Sequence, residues 1–145
     1  MNLTAPVPGL VIRYAYLWNS EHLQGREEGV KDRPCAIVLV TQADDGDKVV
    51  TVLPVTHTPP TDPSLALEIP LAVKHRLGLD GERSWIIFGE ANRFRWPGPD
   101  LRPLSNQGVS TIAYGMLPPK LFKAVKQRLL QSVRERRTRI VPRTD

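Results

Sequence analysis

The chain has 145 residues, 41% of them hydrophobic and 24% charged, with one cysteine and a formal net charge of +5. That length supports one domain, 1–145, with its own core, and a lone Cys35 excludes an internal disulfide framework and a cysteine-cluster metal site. No apolar stretch approaches the roughly 20 residues that cross a bilayer, and the first residues lack a basic region followed by an apolar one, so a cytoplasmic protein with no membrane partner is expected.

In chain order, the alternation over 10–17 predicts a first strand with Arg13 on its less apolar side. The polar stretch 19–32, with Gly25 and Gly29, predicts an exposed loop long enough to cover a substrate or bind a partner. Segments 34–41 and 48–55 flank Ala43-Asp44-Asp45-Gly46-Asp47 and predict a β-hairpin, because Asp-Gly supplies the positive φ of a tight turn. The prolines at 59, 60 and 63 make a stiff surface connection before a strand at 65–69. Pro70 then opens two helical turns over 71–77 that end at Gly78, with His75 facing solvent.

Residues 84–94 predict a strand pair or one bent strand with its break at Gly89, and Trp85 and Phe88 belong to the core or to a dimer interface. Trp96-Pro97-Gly98-Pro99 opens an irregular loop. Leu121, Val125, Leu129 and Val133 recur at steps of four, predicting an amphipathic helix over about 118–136 that lays one stripe on the strands.

The charge is unevenly distributed: residues 120–145 hold 9 basic and 2 acidic side chains, and residues 1–119 hold 11 basic and 13 acidic. A basic tail at 137–145 reads either as salt-sensitive phosphate affinity or as a frayed, solvated helix end. The local set Arg13, Lys31, Arg33, Arg93 and Arg95 is the more informative one for nucleic acid.

The chemistry concentrates at two strings, Lys31-Asp32-Arg33-Pro34 and Pro54-Val55-Thr56-His57. The start of one antiparallel strand lies beside the end of its partner, so the hairpin makes Arg33 and Thr56 neighbours. Arg offers a planar fork of donors with a permanent charge suited to phosphate. Thr56 both donates and accepts. His57 is of the residue type whose unperturbed pKa, about 6.5, suits proton exchange near neutrality. Trp18, where the first strand meets the loop, is the candidate for stacking a base.

The order of these features resembles the MazF/PemK toxin family: a leading strand, a polar loop, Arg-Pro opening an apolar strand, a strand closing in Pro-Val-Thr, and Glu90 and Arg93 on a late strand before a Leu-Pro-Pro helix. The resemblance spans residues 8 to about 130. It implies a mainly β fold with α, a small SH3-like barrel over about 8–117 with a short helix and a C-terminal amphipathic helix. It also implies a homodimer that cuts single-stranded RNA without a metal or other cofactor, is silenced by a cognate antitoxin, and meets DNA only through an antitoxin complex.

Arg33 matches the family's phosphate-binding arginine and Thr56 its catalytic hydroxyl. Ala91 stands where a glutamine is usual, and the first loop is longer than usual. The implied reaction is attack of a ribose 2′-hydroxyl on phosphorus, leaving a cyclic phosphate and a free 5′-hydroxyl. A guanidinium is a poor base, so His57, with Glu28 as second candidate, is assigned the proton work. Arg13, Trp18, Lys31, Arg93 and Arg95 are the expected RNA-binding residues. The alternatives are a catalytically silent barrel serving as a protein- or nucleic-acid-binding module, and a gyrase-binding toxin of the CcdB type, whose aromatic C-terminal anchor this chain lacks.

Overall fold

A computed structural model describes residues 5–25, 31–106 and 109–143. Strand β1 (Leu10–Tyr14) leads into a five-residue helix, α1 (Asn19–Leu23). That helix occupies the first part of the segment expected to be loop. Glu21 reaches back so that its Oε1 accepts from the Trp18 backbone N–H at 3.1 Å, and it is buried where a solvated acid was expected. Glu28, with the rest of 26–30, lies outside the described residues.

Strands β2 (Arg33–Gln42) and β3 (Lys48–Thr56) form the expected hairpin. Its turn closes through Ala43 N–H donating to the Asp47 carbonyl at 2.8 Å, with Gly46 at φ 92°, a region glycine enters without a Cβ penalty. The register sets Cys35 against Pro54 and Ala36 against Leu53, so Arg33 and Thr56 reach the same end of the sheet.

A single 3-10 turn (Pro63–Leu65) precedes β4 (Ala66–Glu68), α2 (Leu71–Arg76), β5 (Trp85–Ile87) and β6 (Glu90–Arg95). The stretch around Gly89 is two strands, and both pair with β3: β5 against Val55 and Thr56, β6 against the span from Val49 to Val52. A small ribbon, β7 (Leu104–Asn106) with β8 (Val109–Thr111), stands apart, while β9 (Ala113–Met116) pairs with β1.

Helix α3 (Pro119–Arg134) is the expected amphipathic helix. Val125 is buried, Leu121 and Leu129 pack half-buried on the core, and Val133 faces out. The segment after it is not a frayed tail. Strand β10 (Arg139–Pro142) pairs parallel with β6, and Arg143 is buried.

The result is a mainly β fold with few helices, built on an eight-stranded sheet whose main path runs β10-β6-β3-β2-β1-β9, with β4 and β5 attached beside β3. Every pairing is antiparallel except β10 with β6. The expected closed barrel is therefore corrected to an open sheet. Its path ends at β9 and β10, which among the described residues do not pair with each other and are joined in sequence by α3.

Both faces of the sheet are covered. One packs Val11, Val38, Leu53, Phe88 and Leu117 with Val125 of α3, and the other packs Ile12, Tyr14, Ile37, Val52 and Phe94 with Leu101 and Ile112. Trp85 and Phe88 are core residues. Cys35 is fully buried, and desolvation pushes its thiol well above the ordinary range, which makes it an inert packing residue. Among the described residues no helix is long and apolar enough to cross a membrane.

Candidate functional site

A cleft of about 520 Å³ opens where β2 begins and β3 ends, and Trp18, Arg33, Thr56, His57, Lys74 and Asp80 are among its lining residues. Pro34 holds Arg33 extended, and the strand register does the rest. Arg33 lays its guanidinium over the Trp18 ring at 4.8 Å and donates from Nη1 to the Val55 carbonyl at a long 3.4 Å. Its Nε is buried and has no acceptor among the described residues. A buried donor left in that state costs about 1 to 3 kcal/mol. Thr56 Oγ1 accepts from Thr58 N–H at 3.1 Å, which leaves the hydroxyl proton to donate elsewhere.

His57, just past β3, faces acids that the sequence reading did not select. Its Nε2 lies 2.7 Å from Asp80 Oδ2 and 3.8 Å from Glu82 Oε2. Lys74 of α2 reaches Asp80 Oδ1 from behind at 2.6 Å. Donor atoms of His57, Asp80 and Glu82 lie within 4.8 Å of one another, yet the Lys74 ammonium already supplies the positive charge there. Lys74 and Asp80 make the set an ion-pair cluster. Comparison with protein-family models and with curated proteins yields no match.

Other expected residues fall around or away from this cleft. Lys31 lines it and is exposed. Arg13 stands 3.8 Å from Asp32, which Arg102 also meets at 3.4 Å, so the charge of Arg13 is partly matched within the protein. Arg93 and Arg95 sit opposite Thr51 and Val49, five and seven residues back along β3 from Thr56. At about 3.3 Å per residue that is on the order of 15 to 25 Å away, and Arg95 is engaged by Asp45 at 2.8 Å and Asp47 at 3.2 Å. These two do not join the cleft.

The segment 15–19, which carries Trp18, is held by side chains from distant parts of the chain. Asn92 pairs with Leu17 twice, accepting its N–H at 2.9 Å and donating to its carbonyl at 2.8 Å. Arg143 donates to the Ala15 carbonyl at 2.7 Å. Glu90 Oε1 accepts from Asn19 N–H at 2.8 Å and from the Tyr16 hydroxyl at 3.1 Å.

Burial holds the Glu90 carboxyl above the ordinary carboxylate range, against the opposing effect of those two hydrogen bonds. The folded state therefore binds the Glu90 proton more tightly than the unfolded one. The contribution of Glu90 to stability is fully present below the ordinary glutamate pKa of about 4.3 and is lost as pH rises through the raised value. Glu90→Gln keeps an acceptor for both donors and should flatten that slope in urea unfolding measured from about pH 4 to about pH 7. An unchanged slope would assign the pH dependence to another group.

Proposed function

We propose that this chain is an endoribonuclease toxin of the MazF/PemK type, which cuts single-stranded RNA by 2′-hydroxyl attack and needs no metal. Its main support is the convergence of Arg33, Thr56 and His57 on one cleft, with an arginine Nε that lacks an acceptor among the described residues. A bridging phosphodiester answers all three groups. Arg33 meets the charge that grows on the phosphorane, and Thr56 donates to a nonbridging oxygen.

His57 takes the proton of the 2′-hydroxyl, the O2′–P bond forms, and the P–O5′ bond breaks. The ring then returns its proton to O5′, so the products are a 2′,3′-cyclic phosphate and a free 5′-hydroxyl. Trp18, with one face toward Arg33, is the stacking residue next to the reacting phosphate, and Lys31 steers the backbone. The same reading carries an SH3-like arrangement of the strands, a homodimer, a cytoplasmic location and a cognate antitoxin that blocks the cleft.

The test is incubation of the purified chain, in EDTA, with long mixed-sequence single-stranded RNA. Discrete cuts with 5′-hydroxyl ends are expected. Intact RNA with freshly refolded protein would reject the nuclease and favour the silent binding module.

A further inference from the structure

The cleft contains a second layer of charge behind His57. Lys74 is 1% exposed, and its ammonium donates to Asp80 Oδ1 at 2.6 Å, to Ser84 Oγ at 2.7 Å and to the Glu82 carbonyl. An ammonium has three donors, and here each has an acceptor. The buried charge is thus satisfied while it fixes one carboxylate at the cleft wall. The other oxygen of that carboxylate, Oδ2, lies 2.7 Å from His57 Nε2.

An ionised carboxylate only accepts, so the proton of this hydrogen bond sits on Nε2 and the lone pair of the neutral ring falls on Nδ1. The hydrogen bond from Lys74 is the foremost cause holding the Asp80 carboxyl below its ordinary range. Glu82 is the other acid near the ring, at 3.8 Å, and Lys31, Asp32 and Arg33 are the remaining charged groups along the cleft.

We infer that Asp80, clamped by Lys74, is a positioning residue for the cleavage reaction: it fixes His57 as the Nε2–H tautomer and so makes Nδ1 the atom that receives the 2′-hydroxyl proton. This rests on the ribonuclease reading above. When Nδ1 takes the proton the ring becomes an imidazolium whose new charge faces the Asp80 carboxylate, and the ring returns to neutrality when the proton passes to O5′. The Asp80 carboxylate never takes up the proton itself.

The test uses the full chain and two readouts. Imidazole nitrogen NMR at about pH 8, above the ordinary histidine titration, reports the tautomer without any RNA. The wild type should show Nε2–H, and Asp80→Asn, whose amide both donates and accepts, should show a mixture. Cleavage of single-stranded RNA by Asp80→Asn should lose about tenfold in kcat with KM unchanged, while urea unfolding checks that the variant remains folded.

A wild-type Nδ1–H tautomer overturns the inference even if Asp80→Asn fails to fold. Equal cleavage by wild type and Asp80→Asn overturns this role alone. A wild type that cuts no RNA overturns the ribonuclease reading and this role together.

Discussion

Arg33→Ala is expected to slow cleavage of single-stranded RNA in EDTA by about 10²- to 10³-fold in kcat, the loss of roughly 3 to 4 kcal/mol that follows removal of one preorganised donor from a developing oxyanion. The guanidinium is ready before substrate arrives. Stacking on Trp18 at 4.8 Å fixes its plane, and the long contact to the Val55 carbonyl at 3.4 Å leaves most of its donors available. Arg33→Lys should recover little, because a point charge restores neither the fork nor the stack.

The same substitution should leave the fold nearly intact. Among the described residues Arg33→Ala removes one long hydrogen bond, worth no more than about 1.5 kcal/mol, and the contact with the Trp18 ring, worth about 0.5 to 2 kcal/mol, so a folded protein with a modestly lowered unfolding midpoint is expected. Single-turnover rates under saturating RNA are the measurement to make. An Arg33→Ala protein that retains activity within about tenfold would remove Arg33 from the chemistry.

Arg143→Met should instead act on stability, by about 3 to 5 kcal/mol. The Arg143 and Asp100 side chains are 2% and 10% exposed and meet at 2.9 Å, and the guanidinium also donates to Asn92 Oδ1 at 3.1 Å and covers the Tyr14 ring at 5.4 Å. Methionine fills much of the volume but leaves the Asp100 charge in a site with little water. Loss of the Arg143 charge beside it is the main penalty, so pairing Arg143→Met with Asp100→Leu should recover part of the loss. Urea unfolding decides it. A shift below about 1 kcal/mol would mean that the pair is screened as a surface pair is.

Much of the hairpin was legible because two kinds of signal agreed there: apolar runs of strand length and an Asp-Gly turn at the right interval. Arg33 and Thr56 followed from pairing geometry alone. Helix α3 was legible from its four-residue stripe. The short elements were hidden for particular reasons. Strand β10 lies in Arg139-Ile140-Val141-Pro142, where the surrounding arginines suggest solvent, although its hydrogen bonds go to β6. Helix α1 is too short to display a period, and its turn is stabilised by Glu21 folding back on the backbone.

The partners of His57 were hidden in a different way. Lys74-His75-Arg76 resembles a solvated basic run, and Asp80-Gly81 resembles an ordinary turn. His75 is exposed as expected, while Lys74 next to it is buried. Which of these three consecutive basic residues turns inward depends on where the 79–84 segment brings its acceptors, and that is tertiary information. Nor does any periodicity reveal a closed versus an open sheet, since the same strands serve both.

The bond from Arg143 to the Ala15 carbonyl joins residues 128 positions apart, whereas the β2–β3 hairpin closes over a few residues. Loop-closure entropy makes distant pairings slow and late, and local ones early. During refolding the hairpin that carries Arg33 and Thr56 should therefore form before the Arg143 contact that ties down the segment leading to Trp18. For some interval the chain would present the Arg33–Thr56 edge before the Trp18 segment is fully tied down, and on the ribonuclease reading the recovery of cleavage should follow the docking of the last strand, lagging behind the appearance of β-structure.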